Sequence, residues 1–369
     1  KHLQLQQTSK QTSDKMKKKV VKGKKDKPNV LLLWEADAKL KRHLTQKVGS
    51  RVNLIFMDKR SEKRKEELFR NADAVIGWRA EKELLLSARK LKLFINPGTG
   101  IKHHIETFRE LNKIRKVKLV NGHGHSYATA QHAVAMLLAL TKRLVMHHNW
   151  MQSGIWRTSD DKDLFSASVL LKNRRIGLLG YGAINSKVHR FLSGFSNSFN
   201  ICKRRLSSLT PRKQIDGSGN PVNLYSYEQL QGFLKDSDVL IIAVPHTGKT
   251  ENMIGAMELR LLGKNSLLVN VARGKIVDEK ALYNALEKNL IGGAAIDVWY
   301  NYTPVKDRKG REYPYSHKFH KLSNIIMSPH RAASPFDDLE RWDEVIENLL
   351  RLADGKRSFI NEVDLTAEY

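Results

Sequence analysis

The chain has 369 residues, 41% of them hydrophobic, so it can form two domains with buried cores and is not a disordered polymer. Lys and Arg number 65 against 38 Asp and Glu, and the net charge of +27 favours non-specific attraction to polyanions. The longest apolar run, of 8 residues, is too short to span a membrane, and one cysteine excludes an internal disulfide. With no secretory signal in the sequence, we expect a cytoplasmic protein.

The first 28 residues are predicted to form a disordered basic tail. They contain ten Lys and two Asp with few apolar positions, a composition that does not build a core. The rest of the chain is also net positive, which a solvated surface explains as well as a polyanion partner does. Because no helix-turn-helix pattern, zinc spacing or aromatic-basic signature accompanies the charge, nucleic-acid contact has weak support and no metal site is predicted.

From Pro28 onward, short apolar runs alternate with charged segments of helix length. The runs predict strands at Val30–Trp34, Val52–Met57, Ala74–Trp78, Leu91–Ile95 and Val117–Val120. Strands separated by helices predict a parallel sheet with helices on its faces. We assign residues 29–122 to a first domain on this basis.

A long buried helix is predicted next, at Ala130–Leu144, because apolar residues occupy most of its faces. A second alternation of strands and helices begins at Arg175 and is typical of a doubly wound nucleotide-binding domain, here assigned to residues 123–330. The helical segment Leu339–Ala353 is expected to return residues 331–369 to the first domain. The predicted strands of the second domain are Ile176–Leu179, Phe199–Cys202, Val239–Val244, Leu267–Val271, Ala294–Val298 and Ile325–Met327.

The first strand of the second domain ends in a glycine-rich turn. Gly180 permits a tight turn, and Gly182 lets a pyrophosphate approach the backbone at a helix N-terminus, where free N–H groups favour anions. Asn185 occupies the place of the usual third glycine, which normally allows close packing of helix on strand. The turn is expected to bind a dinucleotide through Gly180, Tyr181, Gly182, Ala183 and Ile184.

Basic residues follow the next strand. Lys203 lies 23 residues after Gly180, near the distance at which NAD enzymes carry an acid that binds the ribose. Lys203 and Arg204 suit the 2′-phosphate of NADP instead, although a chain rich in Lys and Arg also places some there by chance. The pattern favours NADP over NAD.

An arginine and a histidine stand just past two of the later strands. Arg273 offers a planar, permanently charged fork that fits a carboxylate. His330 can give or take a proton near neutral pH. Together they suit a site that binds an acid and moves a proton.

The chain resembles the D-isomer-specific 2-hydroxyacid dehydrogenase family over roughly residues 29 to 360. The resemblance implies two doubly wound parallel-sheet domains, a Rossmann dinucleotide-binding domain and a flavodoxin-like substrate domain. It implies an NAD(P)H-dependent oxidoreductase of small 2-hydroxy or 2-oxo acids of the glyoxylate, hydroxypyruvate or phosphoglycerate type, commonly a homodimer. The motifs that carry it agree in order and spacing, and they are Gly98-Thr99-Gly100-Ile101, Gly154-Ile155-Trp156, the dinucleotide turn, Pro245-His246-Thr247, Asn270–Gly274, Gly293–Val298 and Ser328-Pro329-His330.

The resemblance also implies a role for each candidate residue. Arg273 would bind the substrate carboxylate, and His330 would protonate the carbonyl oxygen as hydride arrives from the nicotinamide. Asp297 would bind the carboxamide of the nicotinamide ring. Further contacts to the substrate carboxylate are implied at the backbone of Thr99, Gly100 and Ile101, and further contacts to the cofactor at Pro245, Thr247 and Ala272.

The chain departs from the family pattern at several positions, including Lys102, His125 and Gln131, and one departure concerns the histidine directly. The acid that pairs with the histidine usually lies five residues after the position of Asp297, where this chain has Tyr302. Tyr302 can donate a hydrogen bond but does not raise the pKa of His330 as a carboxylate would. Asp307 and Glu312, in an insertion that follows, are candidates to replace the missing acid. The departure leaves open a second hypothesis, a non-catalytic dinucleotide-binding regulator or scaffold of the same fold.

Overall fold

The computed structural model describes residues 26–58, 61–156, 167–206, 213–334 and 338–369. They form two sheets, each with a hydrophobic core against both of its faces. The prediction of two doubly wound domains is confirmed. Most of the predicted basic tail, residues 1–25, lies outside the described residues.

Where the structure describes the first domain, it has five parallel strands, β1 (Asn29–Leu32), β2 (Asn53–Phe56), β3 (Ala74–Ile76), β4 (Leu93–Asn96) and β5 (Lys118–Asn121). Their order is β2-β1-β3-β4-β5, the flavodoxin-like order. The connecting helices are α1 (Ala38–Val48), α2 (Lys65–Asn71), α3 (Lys82–Ser87) and α4 (Ile105–Ile114). Helix α1 shows why such segments fold. The Asp37 side chain caps its N-terminus by accepting from Leu40 N, and Leu40, Leu44 and Val48 form one buried stripe.

Two helices lead into the second domain, α5 (Ser126–Thr141) and α6 (Leu144–Gln152). The predicted single helix Ala130–Leu144 is therefore wrong in its extent. Arg143 adopts a left-handed backbone conformation with φ 52°, which ends one helix and separates it from the next.

The described residues of the second domain form eight strands, β6 (Arg175–Leu179), β7 (Ser198–Lys203), β8 (Lys213–Ile215), β9 (Pro221–Ser226), β10 (Val239–Ile242), β11 (Leu267–Asn270), β12 (Gly293–Ile296) and β13 (Ile325–Met327). Their order is β13-β12-β11-β10-β6-β7-β9-β8, and only the edge strand β8 pairs antiparallel. The strands β9-β7-β6-β10-β11-β12 follow the Rossmann order 3-2-1-4-5-6, in which β9 takes the place of the third strand. The helices are α7 (Asn185–Leu192), α8 (Leu230–Lys235), α9 (Ala256–Leu262) and α10 (Glu279–Glu287).

The last helix, α11 (Asp343–Ala353), packs against α1 of the first domain. Trp342, Leu349 and Leu352 join the same core as Leu40 and Leu44. Within the described ranges, no helix has both the length and the apolar character needed to cross a membrane.

Candidate active site

Arg273 and Gly100 meet across the cleft between the two domains. Gly100 follows β4 in the first domain, and Arg273 follows β11 in the second. A Cβ atom on Gly100 would collide with the Arg273 guanidinium, so a larger residue there would displace the end of the arginine side chain. Parallel strands bring their carboxyl ends to one edge of a sheet, which explains why both loops face the cleft.

The Arg273 side chain is largely withdrawn from solvent. Burial lowers the pKa of its guanidinium, and nearby Tyr302 opposes that effect. Its Nη1 donates to the carbonyl oxygen of Ala272 at 2.6 Å. Arginine stays cationic at neutral pH even when its pKa falls moderately, so the fork remains suited to a carboxylate.

His330 follows β13 and contacts Tyr302. The Tyr302 hydroxyl lies 2.9 Å from His330 Nδ1, with the two rings edge to face. The same hydroxyl also accepts from Trp299 N at 3.5 Å, which leaves its proton free for the ring nitrogen. Tyr302 thus lies next to His330, where the family pattern predicts the acid that Tyr302 replaces. The two other candidate acids bind inside the insertion, Asp307 to Arg311 and Glu312 near Lys306.

The surroundings of His330 disfavour its protonated form. Burial lowers the pKa of its imidazole, Arg273 lowers it further, and Asp297 partly opposes them. The residue also holds a left-handed backbone conformation, with φ 57°. Such conformations are costly for a side-chain-bearing residue and persist where surrounding contacts enforce them.

Asp297 supplies those contacts. Its carboxylate, at the end of β12, accepts from Arg331 N at 2.8 Å, Ala332 N at 3.1 Å and Ser328 Oγ at 2.5 Å. Burial raises the pKa of this carboxyl, but hydrogen bonds from these groups and from His132 outweigh it and lower the pKa overall. Asp297 therefore holds both flanks of His330. Its implied contact with the cofactor carboxamide stays a prediction.

His132 and Ser328 belong to this network. Ser328 was predicted only as part of the Ser328-Pro329-His330 motif, and His132 was not predicted. His132 lies on α5 and its Nε2 is 3.0 Å from Ser328 Oγ, although the two residues are 196 positions apart. No local pattern in the sequence signals a contact of that separation.

The glycine-rich turn has the shape that a pyrophosphate requires. Gly180 has φ 80°, and a Cβ there would approach within 2.7 Å of Ala243 O. A Cβ on Gly182 would meet nothing within 4 Å, so its face is open at the N-terminus of α7. The turn therefore fits a dinucleotide, whose pyrophosphate would contact the backbone there while a bound nicotinamide supplies or accepts hydride.

Asn185 takes the place of the third glycine without disturbing this turn. Its side chain is fully buried, and Nδ2 donates to Leu179 O at 3.2 Å, Gly180 O at 2.7 Å and Ile241 O at 3.2 Å. The amide thus joins the ends of β6 and β10 by hydrogen bonds where a glycine would allow direct packing.

Two cations at the end of β7 each lie over an aromatic ring. Lys203 Nζ is 5.4 Å from the centre of the Tyr181 ring, and the Arg204 guanidinium is 4.8 Å from that of Tyr369. Tyr181 is itself held by a buried pair that sequence reasoning missed. Its hydroxyl lies 2.7 Å from His189 Nδ1, and His189 Nε2 lies 3.0 Å from Asp216.

The remaining predicted cofactor residues line the same edge of the second sheet. Thr247 N donates to Thr250 Oγ1, which in turn donates to Pro245 O at 2.6 Å. The neighbouring Lys102 comes from the first domain, and its Nζ lies 2.8 Å from Glu251 in the second. Ala272 is buried beside Arg273.

Two of the residues predicted to contact the substrate carboxylate lie in the first domain after β4. Thr99 donates from Oγ1 to Gly122 O, and Ile101 is buried.

Comparison with known proteins agrees with this arrangement. A model of the D-isomer specific 2-hydroxyacid dehydrogenase NAD-binding domain matches residues 134–332. Glyoxylate reductase of Thermococcus litoralis is 30% identical over 298 residues, covering 79% of this chain and 83% of that protein. Glyoxylate reductase of Pyrococcus furiosus is 31% identical over 233 residues, covering 62% and 63%. The structure of an NADPH-dependent glyoxylate/hydroxypyruvate reductase from Sinorhizobium meliloti, with NADP and sulfate, superposes with a TM-score of 0.73 at 19% identity, covering 93% of this chain and 100% of that one.

A Rossmann domain and a flavodoxin-like domain, with an arginine and a histidine in the cleft between them, define a two-domain NAD(P)-dependent dehydrogenase. The chain belongs to the D-isomer specific 2-hydroxyacid dehydrogenase family. It is an oxidoreductase that transfers hydride between a nicotinamide cofactor and a small 2-hydroxy or 2-oxo acid, as the resemblance predicts.

Proposed function

We propose that this chain reduces glyoxylate, hydroxypyruvate or a 2-oxo acid of similar size, with NADPH as its preferred reductant. The observation that carries the proposal is the contact of Gly100 with the Arg273 guanidinium, close to His330. It unites a carboxylate-binding group with a proton donor at the edge of a dinucleotide site.

In the proposed reaction Arg273 binds the substrate carboxylate through its fork. Backbone N–H groups at Thr99, Gly100 and Ile101 bind the same carboxylate from the first domain. His330 in its protonated form donates a proton from Nε2 to the carbonyl oxygen, while Tyr302 contacts Nδ1. Asp297 orients the imidazole through the backbone on its C-terminal side.

The proposed division of labour follows the two sheets. Residues 29–122 and 331–369 form the substrate domain, and residues 123–330 form the nucleotide domain, with the reaction in the cleft. Lys203 and Arg204 support the preference for NADPH. NAD enzymes carry near this position an acid that binds the ribose and would repel a 2′-phosphate, whereas two cations attract that phosphate.

Variants of the two central residues test the reaction. Arg273→Ala should abolish oxidation of NADPH by glyoxylate and hydroxypyruvate, because the substrate carboxylate loses the guanidinium that binds it. His330→Ala should lower kcat by about 10²- to 10⁴-fold, the usual contribution of general acid catalysis. Steady-state rates measured by NADPH absorbance give both values.

Arg260→Ala, an exposed substitution on α9, is the matched control and should keep the wild-type rate. Unchanged rates in both central variants would refute the assigned roles. Tight NADPH binding by the wild type with no turnover across a panel of 2-oxo acids would favour the regulator or scaffold instead.

We also propose a homodimer that forms through α6. This helix buries none of its residues, yet Leu144, Val145 and Met151 are apolar and exposed. Ile155 and Trp156, which is 73% exposed, extend the apolar surface. Exposed apolar side chains concentrated on one short segment are typical of an interaction surface.

A further inference from the structure

The last residues of the chain connect the two domains. We name residues 363–369 the C-terminal strap. Its first part belongs to the first domain, where Val363 N donates to Leu119 O and the Val363 and Leu365 side chains pack against the core of the sheet. Arg109 on α4 donates to Leu365 O at 2.7 Å, which anchors the strap on that side.

The end of the strap lies on the second domain, at two segments already assigned to the cofactor. Glu368 accepts from Gly248 N at 3.1 Å, directly after the Pro245–Thr247 segment, and it also pairs with Arg109. Tyr369 covers the Arg204 guanidinium at the end of β7, 4.8 Å from its ring centre. One short segment thus contacts both the loop after β10 and the basic end of β7.

Hydrogen bonds within the strap give its backbone a defined shape. Asp364 Oδ1 accepts from Thr366 N and Ala367 N, and Asp364 N donates to Tyr369 O. Glu368 takes a left-handed conformation, with φ 63°, that turns the chain end toward the second domain. These bonds fix the backbone from which the Tyr369 side chain extends over Arg204.

We propose that the C-terminal strap completes the site for the adenosine 2′-phosphate of NADPH, with Tyr369 as the positioning residue for Arg204. The proposal rests on the proposed NADPH preference. A guanidinium is planar, so a ring on one face fixes its plane and leaves its N–H edge and opposite face for a phosphate and an adenine. An unsupported arginine would lose side-chain entropy each time it bound the phosphate.

Cofactor binding, measured by calorimetry on the full chain, tests this role without relying on turnover. Tyr369→Leu should weaken NADPH binding by about 2- to 10-fold, the range expected when one long side chain must be immobilised on binding, and should change NADH binding by less than about 2-fold. Tyr369→Phe keeps the ring and is the matched control, with wild-type affinity for both cofactors. Tyr369 is 44% exposed, so the chain should stay folded in both variants.

Arg204→Ala separates the two proposals. It should weaken NADPH binding more than Tyr369→Leu does, and the double variant should bind no more weakly than Arg204→Ala alone, because Tyr369 acts through Arg204. If Arg204→Ala leaves NADPH affinity unchanged, the cofactor preference and the strap proposal both fail. If Arg204→Ala weakens NADPH binding but Tyr369→Leu does not, or weakens NADH equally, the strap proposal alone is overturned.

Discussion

Tyr302 alters the acid–base chemistry available to His330. A carboxylate at this position would stabilise the imidazolium, whereas the Tyr302 hydroxyl can donate to Nδ1 of the neutral ring. Burial and the charge of Arg273 also lower the pKa of His330. The three effects act in the same direction, and they reduce the fraction of enzyme that carries the proton needed for reduction at neutral pH.

The dependence of kcat/KM on pH should show the lowered pKa of His330 directly. Because reduction uses protonated His330, kcat/KM for a 2-oxo acid should fall as pH rises through the lowered pKa, which lies below the ordinary value of about 6.5. Tyr302→Glu should raise that pKa and move the descending limb to higher pH by about one to three units.

Tyr302→Phe is the control for the ring without the charge, and its limb should stay far closer to that of the wild type. A limb at the same pH in wild type and Tyr302→Glu would show that another group supplies the proton.

The junction of β6 with α7 shows how this chain keeps a dinucleotide turn without its third glycine. A glycine at this position would let the helix backbone approach the strand closely. Asn185 instead connects the helix to the strands and the turn by three hydrogen bonds from its side-chain amide to backbone carbonyls. Replacing Asn185 with the glycine that is usual in the family should therefore not increase the free energy of unfolding.

Asn185→Gly should lower the free energy of unfolding by about 1–3 kcal/mol, since it removes buried hydrogen bonds and adds backbone freedom at the start of a helix. Asn185→Ala removes the same bonds without the glycine, so the difference between the two variants isolates the backbone effect. Urea unfolding followed by circular dichroism measures both. Wild-type stability in Asn185→Gly would contradict the bridging role.

Sequence patterns predicted those parts of the fold and site that depend on local order. The glycine turn, Arg273 and His330 could be assigned because each follows an apolar strand, and parallel strands direct such ends to one edge. Strand β9 (Pro221–Ser226) was missed because it begins with proline and alternates polar residues, as partly exposed strands near a sheet edge do. Contacts such as His132 with Ser328 depend on tertiary packing, and no local spacing encodes them.

The exposed apolar side chains of α6 predict that two copies of the chain associate. Val145→Asp should convert a dimer to a monomer, because a carboxylate in an apolar interface would lose its solvation. Val145 is 46% exposed in the single chain, so the substitution should leave each subunit folded. Lys288→Asp, exposed at the end of α10, is the charge control and should stay dimeric. Light scattering gives the mass, and a monomeric wild type at tens of micromolar would contradict the proposal.

Gly100 and Arg273 come from different domains, so the proposed carboxylate site exists only while the domains keep one relative placement. Any ligand that favours that placement must increase the affinity for the acid, and the acid must increase the affinity for that ligand by the same factor. Substrate and cofactor affinities are then linked quantities, and a substitution that loosens the domains would weaken both without touching either ligand.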